Sequence, residues 1–491
     1  MQQVQGVNFF NILLKINFNN KKGGVVKKAV LVTTVFMLMF SSASIAWADE
    51  IGDLKAEIQK LREDYESKIQ RLQAQVETLD KRQEERTSKI EEKVDKKVLD
   101  VEYAGRYEGT FGKGGLLIKN PSGFGNVSVG GYADIEFENF ENSNSTFDQA
   151  RFILNLGAQP HERLLFYSEY EIEHGGPNAA DPGQGEAKVE QAWISYLIND
   201  MVNLRGGIVL VPFGKFNLLH DSDIQDLTER PIVSRRLLSA TWMESGFGAF
   251  GEFNIGEALD WKMLPYSYLN YEGYIINGLD EDISDTGMRN AKGSISSDAN
   301  NNKAFVGRVG LGLNLNLELG LSSYIGRYGR SGSATRNGQD NLIGLGTDIN
   351  FKRGPFEIAG DFAYLDFENG ALVDHDNDNA ADEVSAPRYM RGFYIEPRYH
   401  FWPEFFNDTF MGKGFKDPEF TLVSRYDWVD IGDDGDAGDG ANKERRFTLG
   451  MNYRPIETWV FKLEYQWNSS TNETLERGDK NGIMASMAMG F

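Results

Sequence analysis

Nine arginines are the residues of this chain best placed to act on a ligand. Arg230, Arg235 and Arg236 share one stretch, KFNLLHDSDIQDLTERPIVSRRLLSATW (residues 215–242). Arg151, Arg205, Arg308, Arg398, Arg425 and Arg446 each sit in a different segment of alternating apolar and polar residues. A guanidinium stays charged at any working pH and presents a planar fork of donors that matches phosphate and carboxylate oxygens. A line of such groups can replace an anion's hydration stepwise without trapping it. The chemistry indicated is passage of anions rather than a reaction. Carboxylates oppose it: Arg425 stands beside Asp427, Arg446 is expected across from Glu464, and Glu169, Glu171 and Glu173 would draw cations.

Other chemistries find little support. The five histidines, His161, His174, His220, His375 and His400, fall in no recognisable arrangement with a nucleophile, and a general base needs a positioned partner. Neither enzymatic activity nor a cofactor is expected. With no cysteine, disulfides, thiolate catalysis and Cys-ligated zinc are excluded. Asp374, Asp376, Asp378 and Asp382 occupy positions one, three, five and nine of a calcium-loop pattern, but Asn379 replaces the turn glycine and Ser385 the closing glutamate. A solvated loop that bridges loosely through divalent ions to lipopolysaccharide is expected there, and no metal site. A net charge of −22 argues against nucleic acid as partner.

The elements that must position the arginines have a period of two. In IETWVFKLEYQW (456–467), Trp459, Phe461, Leu463, Tyr465 and Trp467 share one face, and Val460, Lys462, Glu464 and Gln466 the other. Its eight-residue span rises about 26 Å, or roughly 20 Å once tilted, close to the separation of the aromatic girdles of a membrane barrel. Similar alternation runs through 127–137, 164–173, 420–428 and 446–453. Charges on one face of so many strands cannot all enter a packed core; they can face water inside a large barrel. About sixteen such segments lie between Asn126 and Phe491. Short turns (near 160, 200, 315, 354 and 455) alternate with long polar loops, as an up-and-down antiparallel barrel requires. One turn breaks the rule: PEFFNDTFMGKGFKD is long although parity puts it with the short ones, which would fit a count wrong by one strand pair. The terminal GIMASMAMGF is apolar on one parity and ends on Phe491, as expected of a last strand that closes against the first and leaves no free edge.

Two features break the polar pattern. The stretch 215–242, third external loop by strand order, carries Leu218, Leu219, Ile224, Leu227, Ile232, Val233, Leu237 and Leu238. An apolar outer loop needs something to pack on, so it is predicted to fold inward and narrow the lumen. At the other end, four lysines precede AVLVTTVFMLMF, followed by Ala46, Trp47 and Ala48. This reads as a cleaved signal peptide over 1–48, too short in its apolar run to span a membrane; residues 1–20 are consistent with an over-long gene model. Ile51, Leu54, Ile58, Leu61 and Tyr65, then Ile69, Leu72, Val76 and Leu79, mark a coiled coil over 49–100, and the residue types at its a and d positions favour two strands. A Gly-rich connector with a short hairpin around LLIK is expected over 101–125, and the barrel over 126–491.

A Gly-rich lead into GGYADIEFEN, then QAWISY, GIVLVPFGKFN, TERPIVSRR and GMNYRPIETWVFKLEYQWN before the final Phe, resembles the phosphate-selective porin O and P family. The resemblance implies a sixteen-stranded homotrimeric channel of the bacterial outer membrane, with a periplasmic N-terminal segment, passing small hydrophilic solutes and anions such as phosphate. It favours three chains where the heptads favour two. The chain departs from an anion conduit in Glu169, Glu171, Glu173 and Glu464, so a general or cation-preferring pore is the alternative. A structural anchor is another, with the coiled coil touching the cell wall and spacing the membrane from it.

Overall fold

The computed structural model describes residues 50–95, 100–105, 113–119, 125–177, 185–280, 282–284, 286–292, 295–298, 300–314, 316–329, 340–368, 386–432, 442–471 and 477–491. The expected signal peptide and the calcium-like loop, His375 included, lie outside these residues. The chain divides into two units, residues 1–96 and 97–491. The first contains a single described helix, α1 (Glu50–Asp95). It is rich in strong helix formers and stitched by Arg62–Glu66 and Lys68–Asp64 pairs one turn apart. Leu61, Tyr65, Ile69, Leu72, Val76 and Leu79 form an exposed apolar stripe along it.

The second unit is one antiparallel sheet. A hairpin of β1 (Asp100–Ala104) and β2 (Gly115–Lys119) precedes β3 (Asn126–Phe140). There follow β4 (Thr146–His161), β5 (Leu164–Glu173), β6 (Glu186–Leu197), β7 (Asn203–Leu210), β8 (Met243–Asn254) and β9 (Tyr268–Ile276). Next come β10 (Ala304–Leu313), β11 (Leu317–Tyr328), β12 (Asp340–Arg353), β13 (Phe356–Phe367) and β14 (Tyr389–Phe401). The last are β15 (Glu419–Gly432), β16 (Asn442–Ile456), β17 (Trp459–Ser470) and β18 (Gly482–Gly490). Each of β3 to β18 pairs with its neighbour in sequence, and β18 returns to β3 with Gly482 opposite Phe140 and Gly490 opposite Tyr132. The barrel is therefore closed with sixteen strands. The 402–418 turn takes its place at the short-turn end between β14 and β15, so no strand pair was miscounted. Phe491 donates to and accepts from Gly131, and β2 takes over the pairing with β3 beyond that point.

The walls are inside out relative to a globular protein. On β17, Phe461, Leu463 and Trp467 are exposed while Lys462, Glu464 and Gln466 are buried. The same inversion holds on β18, where Ile483 and Met487 face out and Met484 and Ala488 face in. An apolar outer surface needs an apolar surrounding, and a charged interior needs partners or water. Local irregularities re-aim side chains: between β5 and β6 the register jumps from Glu169–Gln191 to Tyr170–Val189. The extra residue, Glu190, is buried with Gln191 instead of alternating with it.

Candidate functional site

The site is built on the loop between β7 and β8, residues 211–242. Pro212 and Gly214 end β7; Gly214 has φ +76, where a Cβ would meet the Leu238 side chain, so only glycine turns the chain inward there. Pro231, with φ −55, presets the start of a short helix, α2 (Ile232–Arg236). The loop crosses the lumen. Its backbone N–H groups donate to inward-pointing wall side chains: Gly214 to Ser322 at 3.1 Å, Phe216 to Asp361 at 3.0 Å, Thr228 to Glu464 at 2.6 Å and Ile232 to Asp427 at 3.0 Å. These side chains satisfy donors that would otherwise be buried without a partner.

Apolar packing holds the loop on one side. Phe213, Ile232, Val233, Leu237, Leu238 and Trp242 join inner-wall residues such as Tyr274, Tyr324, Leu365 and Val429 in one core. Trp242 packs on Tyr324 with ring centroids 5.4 Å apart. The loop between β9 and β10, read from sequence as an external polar loop, departs from that reading. Ile283, Met288 and Ala291 enter the same core, and the Met288 N–H donates to the Arg236 carbonyl at 3.1 Å. A few apolar residues dispersed among polar ones, Leu279 included, were the signal for it.

The arginines fall into two groups. Arg308 meets Asp348 and Glu318 at 2.7 and 2.9 Å. Arg398 meets Glu396, Glu357 and Asp226. Arg425 meets Asp427 at 2.9 Å and Glu396 at 3.3 Å. Arg151 lies 3.3 Å from Glu171 and 3.4 Å from Glu173. Arg235 pairs with Glu229 at 3.0 Å, and Arg236 grips both oxygens of Glu444 at 2.7 and 3.2 Å. Each of these charges is matched by a carboxylate. Burial alone would raise the Asp226 carboxyl, yet Arg398 and Arg454 hold it down to about 2, so it stays ionised.

The remaining three have no carboxylate in hydrogen-bond contact among the described residues. Arg205 lies 4.0 Å from the face of Trp193 and 4.3 Å from that of Phe250. Arg446 donates to Asn468 at 2.7 Å, not to Glu464 as expected, because the register sets Asn468 opposite it and Glu464 opposite Gly450. Arg230 donates to the Ala240 carbonyl at 2.8 Å, and its Nε and Nη2 are buried with no hydrogen-bond partner among the described residues.

Two spaces wide enough for several waters flank the loop. On the long-loop side, about 290 Å³ is lined among the described residues by seven basic groups (Arg151, Lys188, Arg230, Arg235, Arg289, Lys292 and Arg477) and five carboxylates (Glu136, Glu138, Asp148, Glu173 and Glu229). On the short-turn side, about 450 Å³ is lined by Arg205, Lys215 and Arg308 against Asp200, Glu252 and Glu272. The first space is net basic in a chain of net charge −22; the second is balanced. Lys188, Lys292 and Arg477 were not singled out from the sequence. Lys188 adjoins the β6 bulge, which spoils parity reading, and the other two sit in loops where parity says nothing. Lys292 donates to the Ser239 and Thr241 carbonyls, and burial, then the charges of Arg289, Lys188 and Arg230, pushes its ammonium down to about 7. His220, 2.8 Å from Glu190 and bonded to the Asn217 carbonyl, is pushed down to about 4 by burial and is neutral at pH 7.

A closed barrel with an apolar outside, a charged inside and an inward-folded loop is the architecture of an outer-membrane channel. Residues 126–361 match the model of the phosphate-selective porin O and P family, as the sequence resemblance led one to expect. An uncharacterized protein of Aquifex aeolicus is 25% identical over 354 residues, 69% of this chain and 75% of that protein. Among solved structures, Salmonella typhi OmpF in complex with daunomycin has 10% identity and a TM-score of 0.49, covering 75% of this chain and 99% of that one. An anion-selective porin from Comamonas acidovorans has 13% identity and a TM-score of 0.45, covering 74% and 99%.

Proposed function

We propose that this protein is a passive outer-membrane channel for small hydrophilic solutes with a preference for small anions such as phosphate. The observation that carries the reading is the net basic lining of the long-loop space, with Arg230 of the inward loop holding donors that no described residue accepts. Low-dielectric walls focus such a field at the narrowest point. The carboxylates that favour a cation pore are paired: Glu171 and Glu173 with Arg151 and Lys188 in the wall of that space, Glu169 with Gln191 and Lys113. The remaining arginine pairs keep charge along the wall without net attraction. Three chains assemble, their α1 helices joining through the apolar stripe as a periplasmic coiled coil after removal of the signal peptide. That coil reaches toward the cell wall as a spacer, compatible with the pore.

Reversal potentials in a salt gradient across a planar bilayer test this. The wild type should favour anions. Arg230→Gln should lower the anion-to-cation ratio roughly two- to threefold, the size expected for one screened charge about 10 Å from the ion path at an effective dielectric near 20. Arg235→Ala with Arg236→Ala should shift it less, since both already have carboxylate partners. A cation-preferring wild type would refute the proposal.

A further inference from the structure

Besides the 255–267 turn between β8 and β9, which also exposes Leu259, Met263 and Tyr266, the turn of residues 402–418 is the long one at the short-turn end. It folds outward, over the apolar face of β15 and β16. Trp402 stacks on Phe420 with centroids 5.4 Å apart and planes 14° apart, and Phe406 packs on the same ring at 5.4 Å. The Tyr453 hydroxyl donates to the Met411 carbonyl, and the Trp402 indole N–H donates to Asn407 at 2.7 Å. Phe420 lies on the outward parity of β15 yet is only 7% exposed, because the turn covers it. The segment is thus fixed in place by its own contacts.

What it shows to the outside is apolar: Phe405 is 73% exposed and Phe410 89%. Rings held at the rim of an apolar belt, with Lys413 and Lys416 exposed beside them, have the composition of an element lying at a membrane interface. Glu404, Asp408 and Asp417 in the same turn leave it with no basic excess. Attraction to anionic headgroups is therefore not the driving force, and burial of the rings is. A partner chain would cover such rings as well, but continuity with the outer belt through Tyr453 and Phe461, 6.2 Å apart, favours lipid.

We propose that the 402–418 turn is a lipid-contact element that seats Phe405 and Phe410 in the headgroup boundary of the periplasmic leaflet and so fixes the depth of the barrel. The proposal rests on the outer-membrane reading. Because the chain has no cysteine, a single introduced thiol can carry a unique fluorophore. Phe410→Cys, Leu463→Cys on the outer wall and Glu162→Cys in an ordinary short turn would each be labelled in the full-length protein in phosphatidylcholine vesicles. The expected result is quenching of positions 410 and 463 by lipid-borne nitroxide, with 410 nearer the headgroup, and quenching of 162 by aqueous nitroxide alone. Adding phosphatidylglycerol should change nothing. If 463 is quenched from lipid while 410 is reached only from water, or is shielded from both quenchers by another chain, the proposal is overturned. If 463 itself is not reached from lipid, the membrane reading fails and takes the proposal with it.

Discussion

At the scale of single residues, the interior is dominated by pairs, and the pairs follow from burial. A charge in a narrow lumen is stripped of much of its water, so an unmatched guanidinium or carboxylate is costly, and most of the wall arginines accordingly touch acids. Arg425, 2% exposed, lies between Asp427 and Glu396 and also donates to the Glu229 carbonyl of the inward loop. Its replacement by Ala should cost about 3–5 kcal/mol, since buried Asp427 loses its cation and Glu396 keeps only Arg398. Urea unfolding in lipid vesicles measures that loss. Lys292 supplies a pH test. With an ammonium near 7 it is charged below that pH and neutral above it. Raising pH from about 6 to about 8.5 removes one positive charge from the long-loop space, so anion preference should fall across this window, and Lys292→Gln should abolish most of that dependence. Glu190 opposes the shift only weakly.

Among the elements, the inward loop decides how much lumen remains. Its apolar residues pack on the inner wall, and its backbone donors reach Asp361, Asp427 and Glu464. Removal of residues 218–238 takes out the crossing segment with Arg230, Arg235 and Arg236. Single-channel conductance should rise, and anion preference should fall at the same time. An unchanged conductance would mean that the narrowest point lies elsewhere, for which the loop between β9 and β10 is the next element to remove.

For the whole molecule, assembly turns on two surfaces of different kind. The stripe of α1 is exposed and narrow, Leu61 to Leu79, whereas the barrel wall is broad. The larger wall should outweigh the stagger preference of a short coil, so native mass in mild detergent should correspond to three chains. Removing residues 50–98 should leave barrels that still associate as threes and alter the distance between outer membrane and cell wall.

Sequence alone determined the architecture, because lipid outside and water inside impose a period of two on every strand, and loop lengths show where each strand reverses. Trp459 to Trp467, the closing strand to Phe491 and the inward turn of 215–242 were all legible in this way. Which arginines keep a free charge was not. Arg236 is matched by Glu444, more than two hundred positions away, and Arg446 faces Asn468 because of register. A bulge at Glu190 broke parity, and Lys292 entered the lumen on a loop whose few apolar residues gave almost no pattern. Strand identity depends on local periodicity under a uniform solvent on each face, whereas the field in the lumen depends on which distant side chains closure brings within about 4 Å, where charge–charge energies are decided.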